Sequence, residues 1–219
     1  MFPVNTLVFD LDGTLIDSSR SILAGFAAAF DELGRAPVAA LEPGIIGPPL
    51  KETLALLAGT EDPAVIEPLA AGFKRHYDTE GYKATEVFPG VPQMLAALAA
   101  RFPLYIATNK RIGPTRSILG HLGWSGHFRD VHALDSFSPP AKNKREMIAR
   151  VLSTHGLDAA RTLYVGDRDE DEHAAAGNGL PFALACWGYG VPAGIADAAP
   201  GTRWLLHRPD DLPAGLSGR

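Results

Sequence analysis

Thr6-Leu7-Val8-Phe9-Asp10-Leu11-Asp12-Gly13-Thr14-Leu15 opens a chain of 219 residues by joining an apolar run to two carboxylates and a glycine turn. Leu7–Phe9 has the character of a buried strand. Asp10 and Asp12 then stand two residues apart at its end. Like charges that close raise each other's pKa, and burying them unpaired is costly. The pair makes sense around a divalent cation, with one carboxylate as nucleophile and its neighbour as proton donor.

Four more apolar runs resemble Leu7–Phe9: Leu104–Ala107, Val131–Leu134, Thr162–Val165 and Phe182–Ala185, each bounded by Gly, Pro or Asp. Helical patterns fall between several of them, at Val91–Ala100, Ile112–Leu122 and Glu146–His155. Alternating strands and helices predict an α/β protein with an open, doubly wound parallel sheet. The segment after the first strand is too long for one crossover and reads as mostly helix. Ser18 or Ser19 is the expected N-cap of a helix through Leu33, ended by Gly34. Lys51–Leu57 and Ala64–Tyr77 are further helices. Residues 18–86 are therefore expected to form a small all-α domain inserted into a sheet domain of residues 1–17 and 87–219. Connections near 16–18 and 83–88 would form its hinge, with Asp17 a cap or hinge residue. The stretch from Val191 is expected to be weakly structured, apart from a short strand at Trp204–Leu206.

Composition excludes several classes. The net charge is -5, which argues against a general nucleic-acid or membrane-surface binder, since either would need a basic face. No apolar stretch reaches the length of a membrane span, and the N-terminus lacks a charged region followed by an apolar one. A single cysteine, Cys186, excludes an intrachain disulfide and reads as a strand-end residue. A cytoplasmic setting is the expectation, as a monomer or homodimer.

Ligands of doubly wound sheets bind beyond the carboxyl ends of the strands. Here the first strand ends in Asp10 and Asp12, and Leu104–Ala107 ends in Thr108-Asn109-Lys110. Thr162–Val165 ends in Gly166-Asp167-Arg168-Asp169-Glu170-Asp171, and Lys142 and Lys144 precede a helix. Carboxylates, a hydroxyl–amide pair and a lysine are thus expected to converge at one sheet edge. Asp169, Glu170 and Glu172 read as a solvated acidic face.

With these four motifs in order, the chain resembles the haloacid dehalogenase superfamily, whose Rossmann-like core carries an inserted helical cap. The resemblance implies a phosphatase of small phosphorylated metabolites. Asp10 would attack a phosphoryl group to form an aspartyl-phosphate. Asp12 would protonate the leaving oxygen and then deprotonate the hydrolytic water. Mg²⁺ would be held by Asp10, the Asp12 backbone carbonyl and Asp167, with Asp171 in or just behind that shell. Thr108 and Asn109 would bind phosphoryl oxygens. The active-site lysine would be Lys144, which opens Lys144-Arg145-Glu146-Met147-Ile148, rather than Lys142. Lys110 is a common neighbour of the second motif.

The acid at Asp12 favours phosphoryl transfer over dehalogenation. A phosphosugar mutase would be expected to carry an arginine in the cap, where this chain has Gly47-Pro48-Pro49-Leu50. Ile46–Leu50 and Trp187-Gly188-Tyr189-Gly190 resemble the phosphoglycolate phosphatase branch. The first would shape the substrate pocket and the second would form a loop over the active-site edge. A nucleotidase, a mutase and a noncatalytic phosphorylation switch remain the alternatives.

Overall fold

A computed structural model describes residues 4–190 and 203–217. The chain begins with β1 (Thr6–Phe9), then β2 (Ile16–Asp17), α1 (Ser19–Glu32), α2 (Leu50–Ala58), α3 (Pro63–Tyr77) and β3 (Glu86–Val87). It continues through α4 (Val91–Ala99), β4 (Leu104–Thr108), α5 (Ile112–His121), β5 (Asp130–Ala133) and α6 (Lys144–His155). Then come β6 (Thr162–Gly166), α7 (Asp169–Ala176), β7 (Phe182–Ala185), β8 (Arg203–Leu206) and α8 (Asp211–Ser217).

Six of the strands form one parallel sheet in the order β5-β4-β1-β6-β7-β8. Its central strands are buried on both faces, as their unbroken apolar runs require. Alternate residues serve the two faces. Leu7 and Phe9 pack with α4 and α5 through Met94, Leu98 and Ile118. Val8 and Tyr164 pack with α6 and α7 through Met147, Val151 and Ala175. The strand order reverses beside β1, which puts a crevice at the carboxyl ends of β1, β4 and β6.

α1, α2 and α3 pack around a third cluster that includes Phe26, Phe30, Leu54, Leu69 and Phe73. The two segments expected as hinges meet: β2 and β3 form an antiparallel ribbon, Ile16 against Val87 and Asp17 against Glu86. Gly34, at φ 60°, follows α1 as expected.

Several expectations need correction. Ser18 is the N-cap position of α1, but its side chain does not cap. Asp17 does so, accepting from Ser19 N at 3.0 Å, while the Ser18 hydroxyl donates to Asp12. The fifth strand begins and ends one residue earlier than Val131–Leu134, because Leu134 starts a 3₁₀ turn. Helix α6 starts at Lys144 rather than Glu146, since Asn143 caps it by accepting from Glu146 N at 2.9 Å. The acidic run from Asp169 is the first turn of helix α7. The strand expected at Trp204–Leu206 is present as β8. Residues 191–202 of the C-terminal stretch lie outside the described residues, and Asp211–Ser217 is helical rather than weakly structured.

Candidate active site

β1 hands Asp10 to the crevice. Its backbone N–H still bonds Val165 O at 2.9 Å, which fixes where the side chain leaves the sheet. Asp10 is 5% exposed, and one carboxylate oxygen, Oδ2, lies 3.2 Å from Lys144 Nζ. The other, Oδ1, is buried with no hydrogen-bond partner among the described residues. Asp10, Asp167 and Asp171 each bring a carboxylate oxygen into a buried group spanning no more than 4.8 Å. Burial is the main force raising the pKa of Asp10 to about 7. Lys144 opposes it, and the carboxylates of Asp171, Asp167 and Asp12 add to it. Asp167, at the end of β6, is pushed up to about 6, first by burial and then by Asp171.

Three buried carboxylates around an orphaned oxygen are an unstable grouping by themselves. Hard oxygen donors in this number suit Mg²⁺, so the donor set fits the metal that the resemblance implies.

Lys144 is the cation that offsets this charge. It is 3% exposed and bonds Asp171 Oδ1 at 2.6 Å as well as approaching Asp10. Burial works to lower its pKa, yet Asp10 and Asp171 hold it well above the ordinary lysine value. Lys142 is exposed, and its backbone N–H donates to Glu146 Oε2 at 3.0 Å. Asp171 also accepts from Arg168 N at 3.1 Å, so both of its oxygens are engaged.

Asp12 lines the same crevice as Asp10 but has partners of its own. Its carboxylate bonds Lys110 Nζ at 3.0 and 3.1 Å and accepts from the Ser18 hydroxyl. Lys110 lies 4.7 Å over the Tyr77 ring, an environment that composition and spacing did not signal. Burial works against its charge, but Asp12 and Tyr77 outweigh burial and push its pKa up to about 12. Thr108 and Asn109 reach the same crevice, engaged within the protein: Thr108 Oγ1 accepts from Lys110 N at 3.2 Å. Asn109 Nδ2 donates to Gly47 O at 3.0 Å and to Glu170, whose carboxylate is thus a partner rather than only a solvated charge.

The loop after β7 closes one side, as its glycines suggested. Trp187 Nε1 donates to Thr14 O at 3.0 Å, while the N–H groups of Tyr189 and Gly190 donate to Asp167 Oδ2 at 2.8 and 3.2 Å. A side chain at Gly188 would run into Asp167 and the Gly13 carbonyl, so this approach needs a glycine. Cys186, at the end of β7, points its Sγ to Leu184 O at 3.7 Å.

The segment before α2 closes the other side. The Arg168 guanidinium donates to Ile46 O and, at 3.1 Å, to Gly44 O. Arg111 pairs with Asp78 at the end of α3. Between the helices and the sheet edge these contacts enclose a cavity of about 70 Å³, lined by Asp10, Asp12, Thr108 and Asn109 on the sheet side. Ile46, Pro48, Leu50 and Phe73 line the helical side.

Comparison with known proteins agrees with this geometry. A family model described as haloacid dehalogenase-like hydrolase matches residues 7–185. The tyrosine-protein kinase PtkA of Mycobacterium tuberculosis H37Rv is 34% identical over 84% of this chain, which spans 62% of that protein's length. A phosphoglycolate phosphatase of Xylella fastidiosa 9a5c is 33% identical, covering 97% of this chain and 95% of its own. Among solved structures, the haloacid dehalogenase-like family protein SP0104 of Streptococcus pneumoniae superposes with a TM-score of 0.85. It is 28% identical and covers 98% of this chain and 99% of its own.

Proposed function

The chain belongs to the haloacid dehalogenase-like hydrolase family, and from that premise we propose that it is a Mg²⁺-dependent phosphatase of small phosphomonoesters acting through an aspartyl-phosphate. The observation that carries the reading is the orphaned, buried Asp10 oxygen beside Asp167, Asp171 and Lys144. Asp10, Asp167 and the Asp12 backbone carbonyl would hold Mg²⁺, which when bound would neutralise negative charge on the phosphoryl group and the carboxylates.

In the first step an Asp10 oxygen forms a bond to phosphorus and the phosphorus–ester bond breaks. The leaving oxygen takes a proton from Asp12. In the second step Asp12 takes a proton from water, whose oxygen attacks phosphorus and releases phosphate, restoring the Asp10 carboxylate. Lys144 favours the charged, nucleophilic form of Asp10 against the effect of burial and pairs with the phosphoryl oxygens. Lys110, fixed over Tyr77, holds the Asp12 carboxylate in place between the two transfers. Thr108 and Asn109 exchange their present partners for phosphoryl oxygens when substrate enters.

Helices α1–α3 act as a cap on the sheet domain, swinging on the β2–β3 ribbon, and the Ile46–Leu50 turn shapes the pocket. Asn109, Lys110 and Arg111 line the cavity beside Ile46 and Phe73, which supports a compact anionic phosphomonoester as substrate. Arg111 is the pocket cation suited to a substrate carboxylate, once released from Asp78.

The test is phosphate release from a panel of phosphoglycolate, sugar phosphates and nucleoside monophosphates, with Mg²⁺ and with chelator. Repeated Mg²⁺-dependent release, fastest with a small carboxylated ester, is expected. Release that ignores chelator would overturn the metal assignment. Preference for nucleoside monophosphates would overturn the substrate class. Transfer to a protein hydroxyl in place of water would overturn the hydrolase reading.

A further inference from the structure

A second set of metal-ligating side chains lies outside the crevice. Asp130 and His132 alternate on the edge strand β5, so both project to the same face of the sheet. His155 is the last residue of α6, which packs over that face. The set is separated from β1 by β4, about 10 Å across the sheet at roughly 4.8 Å per strand.

The three donor atoms form a nearly regular triangle. His132 Nε2 and His155 Nε2 are 2.9 Å apart, and Asp130 Oδ2 is 3.4 Å from each. A tetrahedral ion with bonds of about 2.0–2.1 Å sets its ligand atoms about 3.3 Å apart. The triangle is therefore one face of such a tetrahedron. A shared proton between the two imidazoles would serve only the 2.9 Å edge, and 3.4 Å is long for a hydrogen bond to the carboxylate. A cation in the centre would serve all three edges.

The surroundings hold the donors in place. Asp130 Oδ1 accepts from Val131 N at 2.7 Å, which turns Oδ2 toward the histidines. The His132 ring stacks on Phe137 at 5.5 Å, and the His155 ring packs on Tyr105 at 4.8 Å. The side chains of His132, His155 and Asp130 are 8, 20 and 42% exposed, so the group opens to solvent on the Asp130 side, where a water would complete the tetrahedron. Arg116 is a neighbouring positive charge that works against a cation here, and the Asp130 carboxylate offsets it.

We infer that Asp130, His132 and His155 form a Zn²⁺-type site, distinct from the Mg²⁺ site proposed above, that ties the edge strand to the end of α6. Two imidazoles and one carboxylate with an open fourth position suit Zn²⁺ and its first-row neighbours, whereas Mg²⁺ prefers oxygen donors. Lys144 stands at the opposite end of the same helix, so the ion would anchor the element that carries the active-site lysine.

The test uses the full chain, stripped of metal and titrated with Zn²⁺ by calorimetry in excess Mg²⁺, so that the carboxylate cluster is already filled. One equivalent of Zn²⁺ should bind. Asp130→Asn and His155→Gln should each weaken binding by more than the roughly 10–100-fold that loss of an outer-shell partner costs. Neither should change Mg²⁺-dependent phosphate release in Zn²⁺-free buffer. Co²⁺ in place of Zn²⁺ should give the intense visible absorption of a tetrahedral site in the unaltered protein, which needs no variant to fold. Absence of that band, or Zn²⁺ binding indifferent to both substitutions, would overturn the site whatever the outcome of the phosphatase assay.

Discussion

Asp10→Asn should abolish turnover and yet make the metal-free protein more stable. Asp10 ordinarily titrates near 3.8, but burial, against the pull of Lys144 and with the push of Asp171, Asp167 and Asp12, raises it to about 7. The folded chain therefore keeps a proton that the unfolded chain has released. Stability from this group is lost as pH rises from about 4 to about 7 and changes little above that. A difference of roughly three units corresponds to at most ~4 kcal/mol. The amide cannot ionise and escapes this cost. The pull of Lys144, 3.2 Å away, is already part of that value, and the amide oxygen can still accept from it. The net gain at pH 8 is then at most ~4 kcal/mol, each kcal/mol being about 2–4 °C in Tm for a chain of this size. Thermal unfolding with chelator at pH 8 and pH 5 reads it. The gain should fall by more than half at pH 5, where the native carboxyl still holds its proton while the unfolded one has largely lost it. Mg²⁺ should close the gap at pH 8 by stabilising only the native sequence. A variant less stable than the parent at pH 8, or a difference independent of pH, would refute the charge-strain argument.

Lys144→Met should cost about 3–5 kcal/mol in urea unfolding, because it leaves Asp10 and Asp171 buried without their cation. Adding Asp10→Asn should restore part of that loss, and strictly additive effects would contradict the coupling. Gly188→Ala should weaken Mg²⁺ activation by at least about 10-fold in a metal titration, since the new methyl displaces Asp167. Arg168→Ala removes the donors to Gly44 O and Ile46 O, so KM should rise more than kcat falls. Limited proteolysis near residues 43–48 should also quicken.

The central strands β1, β4, β6 and β7 were legible because each is short, buried on both faces and followed by a polar turn or loop. The same logic brought Asp10, Thr108, Asn109 and Asp167 to one edge, since all follow strands that the sheet aligns. The resemblance pointed to Lys144 over Lys142 through the acid–apolar–apolar sequence after it, and Lys144 is the one that reaches Asp10. The ribbon of β2 and β3 has two residues in each strand, too few for any period to register. Helix α7 begins with four acids that favour a helix N-terminus but mask its apolar side, which is little more than Ala174 and Ala175. Pro213 and Gly215 within seven residues hide α8. Contacts such as Arg168 to Gly44, Lys110 to Asp12 and Asn109 to Gly47 join residues 60 or more apart in sequence. No local pattern encodes such pairs, and the Ser18 hydroxyl was misread for the same reason: its partner is set by the turn geometry at Asp12, not by the helix it precedes.

The central claim is that Asp10 takes the phosphoryl group. Acid quenching during turnover in Mg²⁺, followed by peptide mass mapping, tests it most directly. The account predicts a hydroxylamine-sensitive acyl phosphate on the peptide containing Asp10, absent after chelation and absent in Asp10→Asn. Steady phosphate release with that peptide unmodified, and more than about a tenth of the activity kept by Asp10→Asn, would contradict it.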